Sequence, residues 1–114
     1  VATIKNIKIE NVKDKAISVG EKTKLNAENL NISGAKIAVA SKDSSEVNIT
    51  NVSISDCGIF DYAAYQKKSY FSGSFMKVNN SKSCKKPFSQ VGSELIVNER
   101  KIIEKKMNIK TLYN

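Results

Sequence analysis

The sequence predicts an all-β fold, a parallel β-solenoid of about four to five coils of about 22 residues each, with short strands stacked on one another. Two observations predict it. First, an asparagine recurs at nearly equal steps, at Asn6, Asn29 and Asn51. Second, the apolar residues of each repeat fall in short alternating pairs, which indicate strands rather than helices.

The neighbours of the recurring asparagine fall in matching columns. NIKIEN, NLNISG and NVSISD begin at the three asparagines, and SFMKVNN (74–80) gives a fourth, less regular copy that includes Asn80. A Ser or Thr lies two residues before the leading apolar position in TKL (23–25), SEV (45–47) and SEL (93–95). The apolar columns are Ala2, Leu25, Val47 and Met76; Ile4, Ala27, Ile49 and Val78; Ile7, Leu30 and Val52; and Ile9, Ile32 and Ile54.

Each repeat holds three short strands, such as 37–39, 47–49 and 52–54, joined by polar corners. Strands this short bury no face alone, but stacked copies gain backbone hydrogen bonds above and below and share one interior. In the strand at 37–39, moving one repeat along the chain places Ile37 against Phe60. The recurring asparagine is predicted to bend the chain in a left-handed conformation, with its side chain turned inward. The resulting buried ladder of side-chain amides comprises Asn6, Asn29, Asn51 and Asn80.

The repeat sets the expected boundaries. Residues 1–98 form the coils, with an insertion loop at 64–74, and residues 99–114 form a C-terminal cap that covers the last coil. Ile102, Ile103, Met107 and Leu112 lie at loosely helical spacing, so the cap is predicted to be short, with a helix as one option. Val1 lies almost directly in a strand. The first coil is therefore expected to be completed by an upstream domain of the same polypeptide, or covered in a homo-oligomer.

Composition narrows the chemistry. The net charge is +8, from 19 Lys and Arg against 11 Asp and Glu, which favours anionic partners, although genomic composition bias also produces lysine-rich chains. Arg100 is the only arginine, which argues against specific nucleic-acid readout. The lack of histidine excludes Ser–His triads and His-based zinc sites. No cofactor, metal or membrane span is expected, and Cys57 and Cys84 are predicted to be unpaired thiols.

The stretch KDSSEVNITNVSISDC, with an asparagine at its bend, resembles repeats of right-handed, single-stranded parallel β-helices of the pectate-lyase-like class. The resemblance covers residues 1 to 98. ASKDSS (40–45) and AAYQKK (63–68) also resemble β-helical C-terminal regions of bacterial proteins with an upstream CotH-type kinase domain. Both resemblances imply a bacterial surface or secreted location. The clustered aspartates of the lyases and hydrolases in the class have no counterpart here, because Asp14, Asp43, Asp56 and Asp61 fall in different columns.

One corner carries the candidate site. Stacking places Glu21, then Lys42 and Asp43, then Tyr65–Gln66–Lys67–Lys68 along one edge of the solenoid. A lysine beside a carboxylate and a tyrosine suits binding of an anionic sugar, or general base chemistry by Asp43, Tyr65, Lys67 or Lys68. The alternative is that Asp43 and Glu21 only accept hydrogen bonds from corner amides. Tyr70 and Phe71, in the insertion, either offer an aromatic platform to a ligand or fold back as a lid.

The sequence therefore predicts a C-terminal structural or ligand-binding module of a larger bacterial surface or secreted protein, with an acidic polysaccharide or a partner chain as its ligand. The predicted ligand contacts are Lys42, Tyr65, Gln66, Lys67, Lys68, Tyr70 and Phe71. The alternative function is a carbohydrate-active enzyme, a polysaccharide lyase or hydrolase, that uses the same corner.

Overall fold

The computed structural model describes residues 1–56, 58–83 and 87–110, so the prediction for Cys57 and Cys84 lies outside the described residues. The described chain is all-β, a parallel β-solenoid of about four turns, as the sequence predicts. Its strands are β1 (Ala2–Glu10), β2 (Lys15–Val19), β3 (Lys24–Ser33), β4 (Ile37–Lys42), β5 (Glu46–Ser55), β6 (Phe60–Tyr65), β7 (Phe75–Lys82), β8 (Phe88–Gln90), β9 (Glu94–Val97), β10 (Arg100–Lys101) and β11 (Glu104–Lys105).

The strands form two sheets, which we call sheets A and B. Sheet A has the order β1-β3-β5-β7-β9-β10, and sheet B has the order β11-β8-β6-β4-β2. Each coil thus contributes one strand to each sheet, and equivalent strands of successive coils are parallel and in register. The register confirms the predicted columns, including the pairing of Ile37 with Phe60.

Asparagine bends the strands of sheet A. The two short strands that the sequence predicts on either side of each asparagine are continuous in the structure. β1, β3 and β5 each run through the asparagine as one strand. The asparagine between the sides has a positive φ of 56° in Asn6, 56° in Asn29 and 62° in Asn51. Asparagine tolerates this left-handed conformation better than most residues, so it can turn the chain inside a strand.

The asparagine side chains are hydrogen-bonded to one another along the stack. The Asn29 Nδ2 donates to Asn6 Oδ1 at 2.9 Å, Asn51 Nδ2 donates to Asn29 Oδ1 at 3.1 Å, and Asn80 donates to Asn51. All four residues are exposed, so the prediction that they turn inward is wrong. The interior at this corner is filled instead by the apolar residues on either side, such as Ile49 and Val52.

The inward columns form the core. Residues such as Ile32, Val47, Val78 and Leu95 are 0% exposed and pack in one cluster that runs the length of the stack. Sheet B also carries a second apolar cluster, made of Ile37, Ala40, Ala63, Tyr65 and Phe88. Met107 and Ile109 pack against this second cluster, so the end of the described chain covers the outer face of sheet B.

The helical option for the cap is wrong for residues 100–105, which hold two short strands, and residues 109 and 110 form a 3₁₀ turn. β10 pairs antiparallel with β9 after a turn at Asn98 and Glu99, both with positive φ, as a two-residue hairpin turn requires. β11 then pairs parallel with β8. Extended chain is favoured here because it satisfies the free backbone groups of both sheet edges, which a helix cannot do. Ile102, which lies between β10 and β11, packs against the core cluster.

Candidate functional site

Asp43 is the anchor of the predicted corner. Asp43 and Ser44 turn the chain after β4 with φ values of 53° and 63°. Asp43 is only 1% exposed, and its Oδ1 accepts hydrogen bonds from the backbone amides of Lys67 at 2.7 Å and Lys68 at 2.8 Å. The carboxylate thus fixes the start of the segment between β6 and β7 and is withdrawn from solvent.

The segment from residue 66 to 74, which we call the corner loop, is held from inside by Gln66. Its Nε2 donates to the carbonyl oxygens of Lys68 and Ser69, each at 3.2 Å, and to that of Phe71. The Gln66 amide nitrogen donates to Gln90 Oε1 at 2.7 Å. Gln66 is therefore a support of the loop, and its side-chain amide has little capacity left for a ligand.

A serine pair closes the far end of the corner loop. Ser44 Oγ lies 2.7 Å from Ser72 Oγ, and the Ser72 amide donates to Ser44 Oγ at 2.9 Å. Gly73 follows, and its backbone passes so close to the next coil that a Cβ there would lie 2.1 Å from the Gly92 carbonyl oxygen. The loop is thus fixed to the solenoid at both ends.

Two aromatic rings stand on this fixed loop. Tyr70 is 76% exposed, whereas Phe71 is half-buried, and their ring centroids lie 4.8 Å apart with an interplanar angle of 42°. Of the two predicted alternatives, Tyr70 has the exposure of a platform, whereas the half-buried Phe71 is closer to the residue that folds back. The pair offers an apolar surface to solvent at the tip of the loop.

Three lysines surround the base of the loop. Burial lowers the pKa of Lys42, and the nearby charges of Lys67 and Lys15 lower it further. Lys68 forms an ion pair with Glu21, and this hydrogen bond raises the pKa of Lys68. The repulsion from Lys67 and Lys15 is only part of the lowered pKa of Lys42, and Asp43 and Asp14 oppose it, but an anion placed beside Lys42 and Lys67 would still be stabilised.

Tyr65 does not belong to the accessible site. It is 0% exposed and lies in the apolar cluster on the outer face of sheet B, against which Met107 and Ile109 pack. Tyr65 is therefore too buried to contact a ligand, and neither Tyr65 nor Asp43 is accessible as a catalytic group. Of the predicted ligand contacts, the side chains at the corner that are at least partly exposed and not needed to hold the loop are those of Lys42, Lys67, Lys68, Tyr70 and Phe71.

The structure also has a groove that the sequence reasoning missed. It has a volume of about 510 Å³ and lies beside the corner loop. Ser44, Ser72, Glu46, Glu94 and Glu104 are among the residues that line it. The Ser or Thr before each leading apolar residue was the available signal, because Ser45, Ser74 and Ser93 of that column line the groove and are buried.

The described residues contain no group of three or more Asp, Glu, Cys or His side chains that could hold a metal ion. Nor do they include a helix that is long and apolar enough to cross a membrane. Comparisons with protein-family models, with curated proteins and with solved structures found no match to this chain.

Proposed function

We propose that the solenoid is a binding module that presents the corner loop to an anionic polysaccharide, as part of a larger bacterial surface or secreted protein. The observation that carries the proposal is Tyr70, which is 76% exposed on a loop held by Asp43, Gln66 and Ser44. An ordered loop that exposes an aromatic ring on a rigid scaffold is a common arrangement in ligand-binding proteins. The surface and bacterial placement is supported by the sequence resemblance alone.

The charges around Tyr70 favour an acidic ligand. Lys42 and Lys67 are close enough for the charge of Lys67 to disfavour that of Lys42, and Lys68 lies near them, paired with Glu21. A ligand carboxylate or sulfate would relieve this repulsion, while the apolar face of a sugar ring would cover the Tyr70 ring. Both interactions use groups that already face solvent, so binding needs no rearrangement of the solenoid.

Binding is favoured over catalysis at this corner. A general base must reach the proton that it removes, and the Asp43 carboxylate is buried and bonded to two backbone amides. With Tyr65 also buried, the predicted catalytic set retains only Lys67 and Lys68 at the surface. The enzyme alternative therefore loses its proposed carboxylate and its proposed phenol.

A titration with polygalacturonate tests the proposal, with neutral dextran as the uncharged polymer. Lys67→Ala and Tyr70→Ala are each expected to weaken polygalacturonate binding up to about fivefold, the equivalent of about 1 kcal/mol for an exposed charge or ring contact. Lys77→Ala, on the outer face of sheet A, removes the same charge away from the loop and is expected to change the affinity less than twofold.

Equal binding of dextran and polygalacturonate, or equal weakening by Lys67→Ala and Lys77→Ala, would contradict an acidic ligand at the corner loop. The same samples report on the enzyme alternative. Release of oligosaccharides from polygalacturonate by the wild-type chain, abolished in Lys67→Ala, would replace the binding proposal with a catalytic one.

A further inference from the structure

Glu21 lies at the corner site, in the position of Asp43 one coil earlier. Glu21 and Lys22 turn the chain after β2 with φ values of 53° and 64°, as Asp43 and Ser44 turn it after β4 with 53° and 63°. The Lys22 amide donates to the Asp43 carbonyl oxygen at 3.0 Å, so the two bends stack directly on each other. Glu21 is therefore a neighbour of the ligand contacts proposed above.

The two carboxylates in this column have different surroundings. Asp43 is buried and accepts hydrogen bonds from two amides of the corner loop. Glu21 keeps 54% of its side chain exposed and forms an ion pair with Lys68, whose own side chain is 40% exposed. The pair joins the first coil to the loop that leaves the third coil, across the bend of the second. Glu21 thus occupies one of the cations of the proposed ligand site.

The corner loop does not depend on this ion pair for its position. Asp43 fixes the start of the loop, Gln66 holds it from inside, and Ser44 holds its far end. An exposed ion pair, by comparison, contributes little to the stability of a fold. The effect of Glu21 is expected instead in the charge that a ligand meets, because its carboxylate neutralises Lys68 at the surface where the ligand binds.

Lys67 and Lys68 follow each other in the chain, but Glu21 makes them unequal. The charge of Lys67 acts on Lys42, whereas Lys68 is held by Glu21. An acidic sugar is attracted to Lys42 and Lys67, and a second acidic sugar beside it has to compete with Glu21 for Lys68. A neutral sugar in the second position meets no such repulsion, and its hydroxyls can donate to the Glu21 carboxylate.

We infer that Glu21 is a specificity-determining residue of the corner site, which favours a polysaccharide whose acidic sugars are separated by neutral sugars over one in which every sugar is acidic. This role rests on the proposed function, because it concerns which anionic polysaccharide that site prefers. An acidic sugar beside Glu21 is disfavoured twice, by the repulsion between the carboxylates and by the loss of Lys68 as its partner.

The groove on the other side of the corner loop presents the same charge. Glu46, Glu94 and Glu104 line it together with Lys101, so negative charge prevails among the described residues of its lining. A chain of sugars that covers Tyr70 and continues toward the groove therefore meets carboxylates there as well. Neutral sugars suit this surface, because carboxylates accept hydrogen bonds from hydroxyls. Acidic sugars are favoured only at the lysines between Glu21 and the groove.

Titrations with two forms of one polymer test the role of Glu21. Polygalacturonate carries an acid on every sugar, and methyl esterification at random positions makes half of the sugars neutral without changing the backbone. The wild-type chain is expected to bind the esterified form at least as tightly, although charge alone favours polygalacturonate. In Glu21→Gln, the affinity for polygalacturonate is expected to rise about two- to fivefold, and that for the esterified form less than about twofold.

Two further variants show where the change arises. Glu28→Gln removes the same charge from an exposed ion pair with Lys5 on sheet A, and is expected to leave both affinities within about twofold of the wild type. Glu21→Gln/Lys68→Ala is expected to lose most of the gain, because the released cation is then absent. Hydrogen exchange in the corner loop of Glu21→Gln is expected to match the wild type, since other residues hold the loop.

Tighter binding of polygalacturonate than of the esterified form by the wild type would overturn the role of Glu21, as would equal changes in Glu21→Gln and Glu28→Gln or a double variant that keeps the whole gain. Faster exchange with weaker binding in Glu21→Gln would show that the ion pair only holds the loop. Lys67→Ala separates these results from a failure of the proposed function. Polygalacturonate binding that Lys67→Ala does not weaken refutes the site itself, whereas binding that Lys67→Ala weakens and Glu21→Gln leaves unchanged refutes only its specificity.

Discussion

Replacement of Asn51 by leucine probes the corner that defines each coil. Asn51 has a φ of 62°, donates to Asn29 at 3.1 Å and accepts a hydrogen bond from Asn80. A net hydrogen bond contributes about 0.5–1.5 kcal/mol, and exposure places these two at the lower end, about 1 kcal/mol together. A left-handed backbone costs a residue with a bulky side chain about 1–2 kcal/mol more. The expected loss for Asn51→Leu is therefore about 2–3 kcal/mol.

Two further variants separate the hydrogen bonds from the backbone strain. Asn51→Gly loses the same two bonds but accepts the positive φ, so its expected cost is about 1–2 kcal/mol, which includes the greater freedom of glycine in the unfolded chain. Asn48→Leu changes an outward residue in the same strand and is expected to stay within about 0.5 kcal/mol of the wild type.

Urea unfolding followed by circular dichroism measures these differences as shifts of the midpoint at constant slope. An Asn51→Leu variant as stable as Asn48→Leu would refute the role of the asparagine column. An Asn51→Gly variant that loses as much as Asn51→Leu would show that the left-handed bend contributes nothing, and that the hydrogen bonds account for the whole effect.

Two other predictions concern buried polar groups. Asp43→Ala leaves the amides of Lys67 and Lys68 without their acceptor, so we expect a loss of about 1–3 kcal/mol and faster hydrogen exchange in the corner loop. Glu28→Ala, at an exposed carboxylate whose ion-pair partner Lys5 is also exposed, should change neither; equal exchange in the two variants would contradict the anchor. Burial raises the pKa of the Tyr62 phenol, which lies 2.5 Å from Ser81 Oγ. The folded chain then keeps a proton that the unfolded chain loses above pH of about 10, so stability should fall above that pH by up to about 1.4 kcal/mol per pH unit, and Tyr62→Phe should remove this part of the slope in alkaline urea titrations. An identical slope in Tyr62→Phe would contradict it.

The register of the coils could be read from the sequence because each column repeats one residue class at a nearly constant step. The asparagine column ends at Asn80, because β7 pairs with β9 in a register that sets Val78 opposite Val97, and Asn98 instead begins the turn into β10. It has a φ of 49°, and its side chain bonds to the Ser81 backbone in place of a neighbouring asparagine. The period of the sequence identifies the members of a column only where successive coils have nearly the same number of residues.

The sequence could predict where the site lies, but not which of its side chains are buried or hydrogen-bonded. Stacking brought Lys42, Asp43 and the start of the corner loop to one edge, but the same stacking put Tyr65 among the ligand contacts, because it took no account of the chain that packs against the apolar cluster of sheet B. Met107 and Ile109 cover it from a distant part of the sequence. The two amides that bond Asp43 are equally hard to foresee, because no local pattern records which backbone groups a folded loop will leave to be satisfied.

Nuclear Overhauser effects between side chains of successive coils test the parallel stack most directly. The account predicts a continuous series of contacts along one inward column, from Leu25 to Val47 to Met76 to Leu95. It also predicts a close cross-strand Hα contact of the antiparallel type between Ile96 and Lys101, the non-hydrogen-bonded pair where β9 meets β10. Such antiparallel contacts between β3 and β5, or a Leu25 that contacts neither Val47 nor its neighbours, would contradict the solenoid.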